Sequence, residues 1–394
     1  MSVTVDHTLI EAAQHIAPVI RAHNAEAERE RHLSTPVLEA LIQAGLLRMF
    51  NPRSLGGLEV DPLTCARVVE EVARADSAAA WTLFNPLSWA HSCVRLPDAG
   101  AEELFGSNPH AVIVGPFHPP MQATPVAGGY RVTGRSPFAS NCRDATWIAV
   151  TALVMEGDTP RRSPSGTPEV IAAFVSSAAC EILDTWYVMG MRGTGSDDIA
   201  LTDAFVPVQR TYPLVPAFVP GSHYQGPLYR LPAMGYIAAT FPPIVLALAR
   251  QAIDAVTALA QSKTPFGAAT VLRERATTQA KLAQAEGTLR SARALLYTTL
   301  GEAWERALAG ERASLAQRAD LLLATAHATS SAGKVVDLMY SVAGTSGIYT
   351  RHPLERYFRD MQVLKQHGFA SENRYETVGQ VYLGLPPEFA AVVL

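Results

Sequence analysis

The chain has 394 residues, 48% hydrophobic and 17% charged, a globular profile with ample material for a large core. Lys and Arg number 32 against 36 Asp and Glu, a net charge of −4 with no basic block, which argues against nucleic acid or an anionic membrane as partner. Four scattered cysteines without a C-x-x-C pair predict no metal site, and the absence of a leader pattern or membrane-length apolar run predicts a cytoplasmic protein with reduced thiols.

Residues 9–106 read as helices. Ser34-Thr35-Pro36 is a helix start, a capping hydroxyl with proline in the first turn, and Leu38, Leu41, Ile42 and Leu46 follow at helical spacing with Gly45 near the end. Residues 62–84 are helical and rich in alanine. The texture changes near Ala111. Short strand-like runs at 111–114, 130–133, 147–151, 170–175 and 203–207 are split by Gly, Pro and Asn, predicting an antiparallel barrel or sandwich. Residues 161–166 read as a surface loop between strands. From Leu231 the chain turns helical again, in long segments at 234–261, 269–308, 313–344 and 352–380 that predict a four-helix bundle. Pro242-Pro243 should start or kink the first of these. The expectation is an α+β multi-domain chain: an N-terminal α-helical domain over 1–110, a β-barrel domain over 111–225 and a C-terminal bundle over 226–394.

Three stretches carry chemistry. Gly134-Arg135-Ser136-Pro137-Phe138-Ala139-Ser140-Asn141-Cys142 closes a strand-like run, in which an aromatic ring and a hydroxyl two positions later share a face. Trp186-Tyr187-Val188-Met189-Gly190-Met191-Arg192-Gly193-Thr194-Gly195-Ser196 is a loop whose glycines allow close backbone approach, with Arg192, Thr194 and Ser196 able to meet a phosphate or a polar ring edge. Arg356-Tyr357-Phe358-Arg359-Asp360 leads into Gln366-His367-Gly368. The bland readings are a strand end whose serine caps its own backbone, a hairpin with an exposed arginine, and a histidine satisfied in a core.

In order and spacing these stretches resemble the acyl-CoA dehydrogenase superfamily over nearly the whole chain. The resemblance implies a helical domain, an antiparallel barrel and a four-helix bundle. It implies a flavin covered by Phe138, hydrogen-bonded by Ser140 near N5 or an oxygen adduct, and held by Trp186, Arg192, Thr194 and Ser196. Phe266, Gln279 and the turn beginning at Gly344 match bundle positions that, in FAD-dependent members, serve the dinucleotide of a neighbouring subunit. Lys263 stands where those members carry an arginine, and a lysine cannot supply its bidentate fork, so reduced FMN and reduced FAD both remain open.

One departure decides the branch. Counted from Arg359-Asp360, the catalytic glutamate of the dehydrogenases falls at Gly368, which cannot act as a base. The family's Thr-Glu-Pro-type loop is not matched by residues 115–123, and residues 231–270 contain no glutamate. Glu376, in Arg374-Tyr375-Glu376-Thr377, lies eight residues late, roughly 12 Å further along a helix. The chain is therefore more similar to the reduced-flavin-dependent, two-component (group D) monooxygenases of this fold, such as those acting on 4-hydroxyphenylacetate, steroid phenols and dibenzothiophene. That similarity implies a C4a-hydroperoxide formed from reduced flavin and O2. His367 would serve as base or orienting group and His91 as a second functional histidine, with a small aromatic or heteroatom-containing substrate. No G-x-G-x-x-G turn follows a strand, so a separate NAD(P)H-dependent flavin reductase is expected, together with a homotetramer. His118 and His352 are expected to be peripheral. The alternative is an acyl-CoA dehydrogenase-type enzyme acting on an acyl thioester with Glu376 or another group as base.

Overall fold

A computed structural model describes residues 5–117, 120–164 and 166–393, so that His118 and Ser165 of the 161–166 loop lie outside the described residues. The N-terminal helices begin at side-chain caps. Asp6 accepts from the Thr8 N–H at the start of α1 (His7–Glu30). Thr35–Gln43 forms α2 with Pro36 in its first turn, but Ser34 makes no side-chain cap bond, so proline rather than the hydroxyl marks this start. Asp61 and Asp76 each accept two N–H groups at the heads of α3 (Pro62–Ala73) and α4 (Ser77–Ser92). Every residue of α4 is buried, which makes it a core helix with no solvent face. A short α5 (Asp98–Ala101) runs into a π-helical turn, Glu102–Gly106, that ends the helical part.

The strands are β1 (Ile113–Val114), β2 (Met121–Val126), β3 (Gly129–Ser136), β4 (Trp147–Glu156), β5 (Thr159–Pro160), β6 (Val170–Ser176), β7 (Glu181–Leu183), β8 (Asp198–Pro207) and β9 (Thr211–Pro213). They form one sheet in the order β7-β8-β3-β2-β4-β6-β9, which corrects the expectation of an antiparallel barrel: the sheet is mixed and open. The reason lies in two connections. β2 and β3 form a tight hairpin, and the chain from Pro137 to Thr146 then carries β4 to the far side of β2, where it runs parallel to it. β1 lies along the same side of β4, also parallel, and ends at Val114, before Gly115. β7 and β9 end the sheet and do not pair with each other, so it does not close.

Pro242 and Pro243 act as expected, separating α6 (Ala233–Thr240) from α7 (Pro242–Ala260). Ala233–Ala260 is long and apolar enough by composition to cross a membrane, which corrects the expectation that no apolar run reaches that length; it is apolar because much of it is core, with every residue from Pro242 to Ala249 buried. Then come α8 (Ala276–Leu308), α9 (Leu315–Ala343), α10 (Pro353–Leu364) and α11 (Arg374–Tyr382). α9 packs against α7, α8, α10 and α11. The expected continuous segment at 352–380 is instead two helices, with a turn from 365 to 373 between them. His367 sits on that turn.

Candidate active site

The site is assembled around α4. At the head of that helix the Ser77 hydroxyl donates to Asp360 Oδ2 at 2.6 Å, and Asp76 Oδ2 accepts from Arg356 at 2.6 Å. Asp360 is fully buried, and its other oxygen accepts the Met191 N–H at 2.6 Å. One carboxylate on α10 thus fastens both the N-terminal helices and the 187–196 loop. Burial pushes the Asp360 pKa up, against the pull of Arg356 and the two donors. Arg359 donates to Glu28, Glu355 and the Met189 carbonyl. The loop meets α10 so closely that a Cβ on Gly190 would stand 2.4 Å from the Arg359 carbonyl. Further along α4, Asn85 and Trp89 both bind Gly115, the residue that follows β1. A Cβ there would lie 1.8 Å from the Ala149 carbonyl, so only glycine fits.

Between these anchors runs a chain of hydroxyls. Trp81 Nε1 donates to Ser140 Oγ at 2.9 Å, Ser140 and Ser196 share a 2.7 Å contact, Ser196 and Thr194 another of 2.7 Å, and Thr194 donates to the Met191 carbonyl at 2.8 Å. An indole nitrogen can only donate and a carbonyl can only accept. Each hydroxyl has one proton, so the ends fix the direction: Trp81 to Ser140 to Ser196 to Thr194 to Met191. The Ser140 proton is engaged by Ser196. The expected strand geometry of Phe138 and Ser140 is corrected here. β3 ends at Ser136, and both Phe138 (φ 65°) and Asn141 (φ 59°) take left-handed backbone in a turn. For an aromatic residue this is strained, the kind of outlier that clusters at functional sites. It leaves Phe138 62% exposed, its ring edge-on to buried Trp186 at 6.1 Å.

These groups face a cavity of about 1320 Å³. His367 lines it, set among Trp81 (5.1 Å between ring centres), Phe84 (5.7 Å), Phe241 (5.2 Å, stacked) and Phe369 (5.5 Å). Loss of hydration among these rings pulls its pKa down to about 4, so the imidazole is neutral at pH 7. Its Nδ1 accepts a long 3.4 Å bond from the Phe369 N–H, which assigns the proton to Nε2. His91 lines the same cavity among different rings (Phe50, Tyr229 and Tyr236) and donates from Nε2 to the Leu228 carbonyl at 3.2 Å. Burial also lowers its pKa to about 4. Among the described residues, no Asp or Glu lines the cavity.

Residues 8–96 match the family described as acyl-CoA dehydrogenase, N-terminal domain, and residues 239–372 match acyl-CoA dehydrogenase, C-terminal domain. The chain is 31% identical, over 93% of its length and 91% of the other's, to indole-3-acetate monooxygenase of Pseudomonas putida. The chain belongs to the flavin-dependent monooxygenases of the acyl-CoA dehydrogenase superfamily. It is also 24% identical to the flavin-dependent monooxygenase oxygenase subunit HsaA of Mycobacterium tuberculosis, over 96% of both chains. The structure of XiaF from a Streptomyces species, solved with FADH2 and glycerol, superposes with a TM-score of 0.88 at 23% identity, covering 96% of each chain.

For a flavin-dependent monooxygenase, the placement of the residues singled out in the sequence is uneven. Phe138, Ser140, Trp186, Thr194, Ser196, His91 and His367 all line the cavity. Arg192 does not; its Nε is buried without a partner. Phe266 is fully exposed, Gln279 is exposed and donates to the Arg273 carbonyl, and Gly344 caps α9 with left-handed backbone beside the Lys263 ammonium. None of these three reaches the cavity. Glu376 is exposed on α11 and does not line it either, so it is not placed to serve as the base of the acyl-CoA dehydrogenase-type alternative. The offset of roughly 12 Å expected for Glu376 along one helix does not hold, because the turn at 365–373 breaks that helix, although the carboxylate still lies outside the cavity. A Cβ at Gly368 would meet nothing within 4 Å, so the glutamate position of the dehydrogenases is open space. Sequence reasoning missed Trp81 as a hydrogen-bond donor, Asp360 as the fastener and Arg95 on the cavity wall. A buried, capped helix start at Asp76-Ser77 was the available signal for the first; the other two depend on tertiary contacts.

Proposed function

We propose that this chain is the oxygenase component of a two-component system, taking reduced FMN or FAD from a separate NAD(P)H-dependent reductase and using O2 to oxygenate a small aromatic or heteroatom-containing substrate. The observation that carries the reading is the cavity: its volume exceeds the usual 300–1,000 Å³ or so of a single-ligand site, leaving room for a flavin and a second molecule. Its walls include aromatic rings, hydroxyls, neutral imidazoles and Arg95, and among the described residues carry no carboxylate able to remove a proton from carbon. These residues fit a flavin. When bound, it supplies the activated oxygen.

The protein's own groups then have distinct tasks. Phe138 and Trp186 cover the flavin ring. With its own proton turned to Ser196, Ser140 offers its remaining lone pair to a donor on the ligand rather than a proton, which revises the donor role expected from sequence. A reduced flavin carries such a donor at N5 and an oxidised one does not. His367 presents Nε2–H to the cavity and orients the substrate or the activated oxygen; action as a base requires release of its Phe369 contact. The aromatic walls exclude water, which limits unproductive loss of peroxide. His91 holds the cavity wall through Leu228. Relatives named for indole-3-acetate make an indole or similar small aromatic the first substrate class to test.

Phe266, Gln279, Gly344 and Arg192, all off the cavity, would serve the distal part of a dinucleotide across a subunit boundary of a homotetramer. We take 1–110, 111–225 and 226–394 as the domains and the cytoplasm as the location. The deciding experiment is anaerobic titration with reduced FMN and reduced FAD, followed by air with and without an indole substrate. Oxygenated product that depends on reduced flavin is expected. Reduction of bound oxidised flavin by an acyl-CoA without a reductase would establish the dehydrogenase instead, and light scattering that shows an active monomer would remove the tetramer.

A further inference from the structure

We propose that Arg95 makes this cavity selective for an anionic substrate: an aromatic acid whose carboxylate pairs with the guanidinium while its ring extends towards His367. The inference rests on the flavin-monooxygenase reading and specifies the substrate class of the same site.

Arg95 lies just beyond the C-terminal end of α4, fourteen positions after Trp81. At helical rise that is roughly 20 Å. Both residues line the cavity, so it runs the length of α4, with the hydroxyl chain beside Trp81 and the arginine far from it. That separation leaves the ring-binding end to the flavin and the Arg95 end to the second ligand.

The side chain is held from two directions. NH1 donates to the Val215 carbonyl at 2.5 Å, and the guanidinium lies 4.0 Å over the Phe218 ring. Neither contact neutralises the charge. Among the described residues no carboxylate pairs with Arg95, whereas Arg356 and Arg359, comparably enclosed, each hold acidic partners within 2.6 Å. The groups that face Arg95 are His91, Tyr212, Tyr236 and Arg318. The Tyr212 hydroxyl is engaged with Ser92, since Ser92 spends its own proton on the Trp89 carbonyl. Arg318 is itself a cation, held by the Ala313 and Val393 carbonyls. The local field is therefore positive and uncompensated, and burial pulls the Arg95 pKa down from its usual value.

A guanidinium against apolar walls without a counter-charge is unfavourable, and a planar carboxylate offsets this with paired, charge-assisted hydrogen bonds. A cationic ligand is repelled from the same place. A flavin phosphate carries the same chemistry as a carboxylate, so the test separates these two sources.

Calorimetric titration of the full chain, alone and with oxidised FMN, uses indole-3-acetate and its neutral isostere indole-3-acetamide. The acid is expected to bind at least about 30-fold more tightly than the amide, and Arg95→Met to abolish that preference while the amide binds as before. Arg95→Lys retains the charge without the fork and should retain part of the preference. Equal binding of acid and amide by the wild type overturns the proposal, as does a preference that survives Arg95→Met, or no binding of either probe. If Arg95→Met instead weakens FMN relative to riboflavin and leaves the acid preference intact, the arginine serves the flavin phosphate and the proposal fails. Should Arg95→Met not fold, judged by its thermal melt, the wild-type pair and Arg95→Lys still decide. These readouts need no turnover. Failure of reduced flavin to support oxygen consumption would count against the monooxygenase reading alone.

Discussion

Trp81 and Ser140, fifty-nine residues apart in sequence, are joined by a 2.9 Å hydrogen bond in which the indole can only donate. That bond orients every hydroxyl downstream of it. Trp81→Phe keeps the ring and removes the donor, so Ser140 becomes free to turn. A stability loss of about 1–2 kcal/mol in urea denaturation is expected, together with a larger share of consumed O2 released as peroxide. Ser196→Ala should produce the same peroxide shift. A stability loss with an unchanged product-to-peroxide ratio would restrict the chain to a structural role.

His91 and His367 both have folded pKa values near 4, below the 6.5 of a free imidazole. The unfolded chain therefore binds more protons between pH 6.5 and 4. Their contribution to stability is fully present above about pH 6.5 and is lost as the pH falls towards 4, up to roughly 3 kcal/mol for each. Urea midpoints at pH 7.5, 6 and 5 should fall accordingly, and His367→Phe, which suits its aromatic surroundings, should flatten part of that limb. An identical acid limb in the variant would contradict the depressed value.

Product formation should be insensitive to His367 ionisation from pH 6 to 8, because the ring is already neutral. His367→Ala should lower kcat/KM by about 10²-fold or more while the fold persists. Glu376→Gln, exposed on α11, should stay within about twofold of wild type. Steady-state rates for both variants at pH 7 are the measurement; a dead Glu376→Gln beside an active His367→Ala would reverse the assignment.

Asp360 accepts from Ser77 and Met191 and lies near Arg356. Asp360→Ala leaves two buried donors without an acceptor, while Arg356 keeps Asp76 and Glu28, a change that costs about 2–4 kcal/mol. Because Met191 also terminates the hydroxyl chain, flavin affinity should fall along with the melting temperature. A destabilised variant with wild-type flavin affinity would show that the loop holds its shape without this carboxylate.

Strands with dense apolar and β-branched runs, such as Trp147–Glu156 and Val170–Ser176, were legible because their burial is written in their composition. Met121–Val126 was not: only Met121 and Ala123 are buried, Pro125 stands inside it, and its parallel partner β4 lies thirty-one residues on. The mixed sheet follows from that missed strand. At the site, the motif residues beside Ser140 and Ser196 could be found from spacing. The Arg359-Asp360 pair marked the right region for a different reason, since it fastens the loop while the cavity is lined by the turn that follows. The break at 365–373 was hidden because Lys365 and Gln366 are ordinary helix residues and Gly368 alone is a weak stop signal, while packing of His367 against Phe241 and Trp81 accompanies the turn. Arg95 belongs to no motif, and its significance comes from which partners it lacks.

The turn at 365–373 also bears on how such a site can diversify. A residue inserted into a helix rotates everything beyond it by about 100° and displaces a whole packed face. An insertion or deletion in this turn is absorbed locally, with α10 still fastened through Asp360 and α11 still resting on α9. The wall that holds His367 can therefore be lengthened, shortened or rewritten while the 187–196 loop stays put. Length variants of this segment offer a route to altered substrate scope on an unchanged frame.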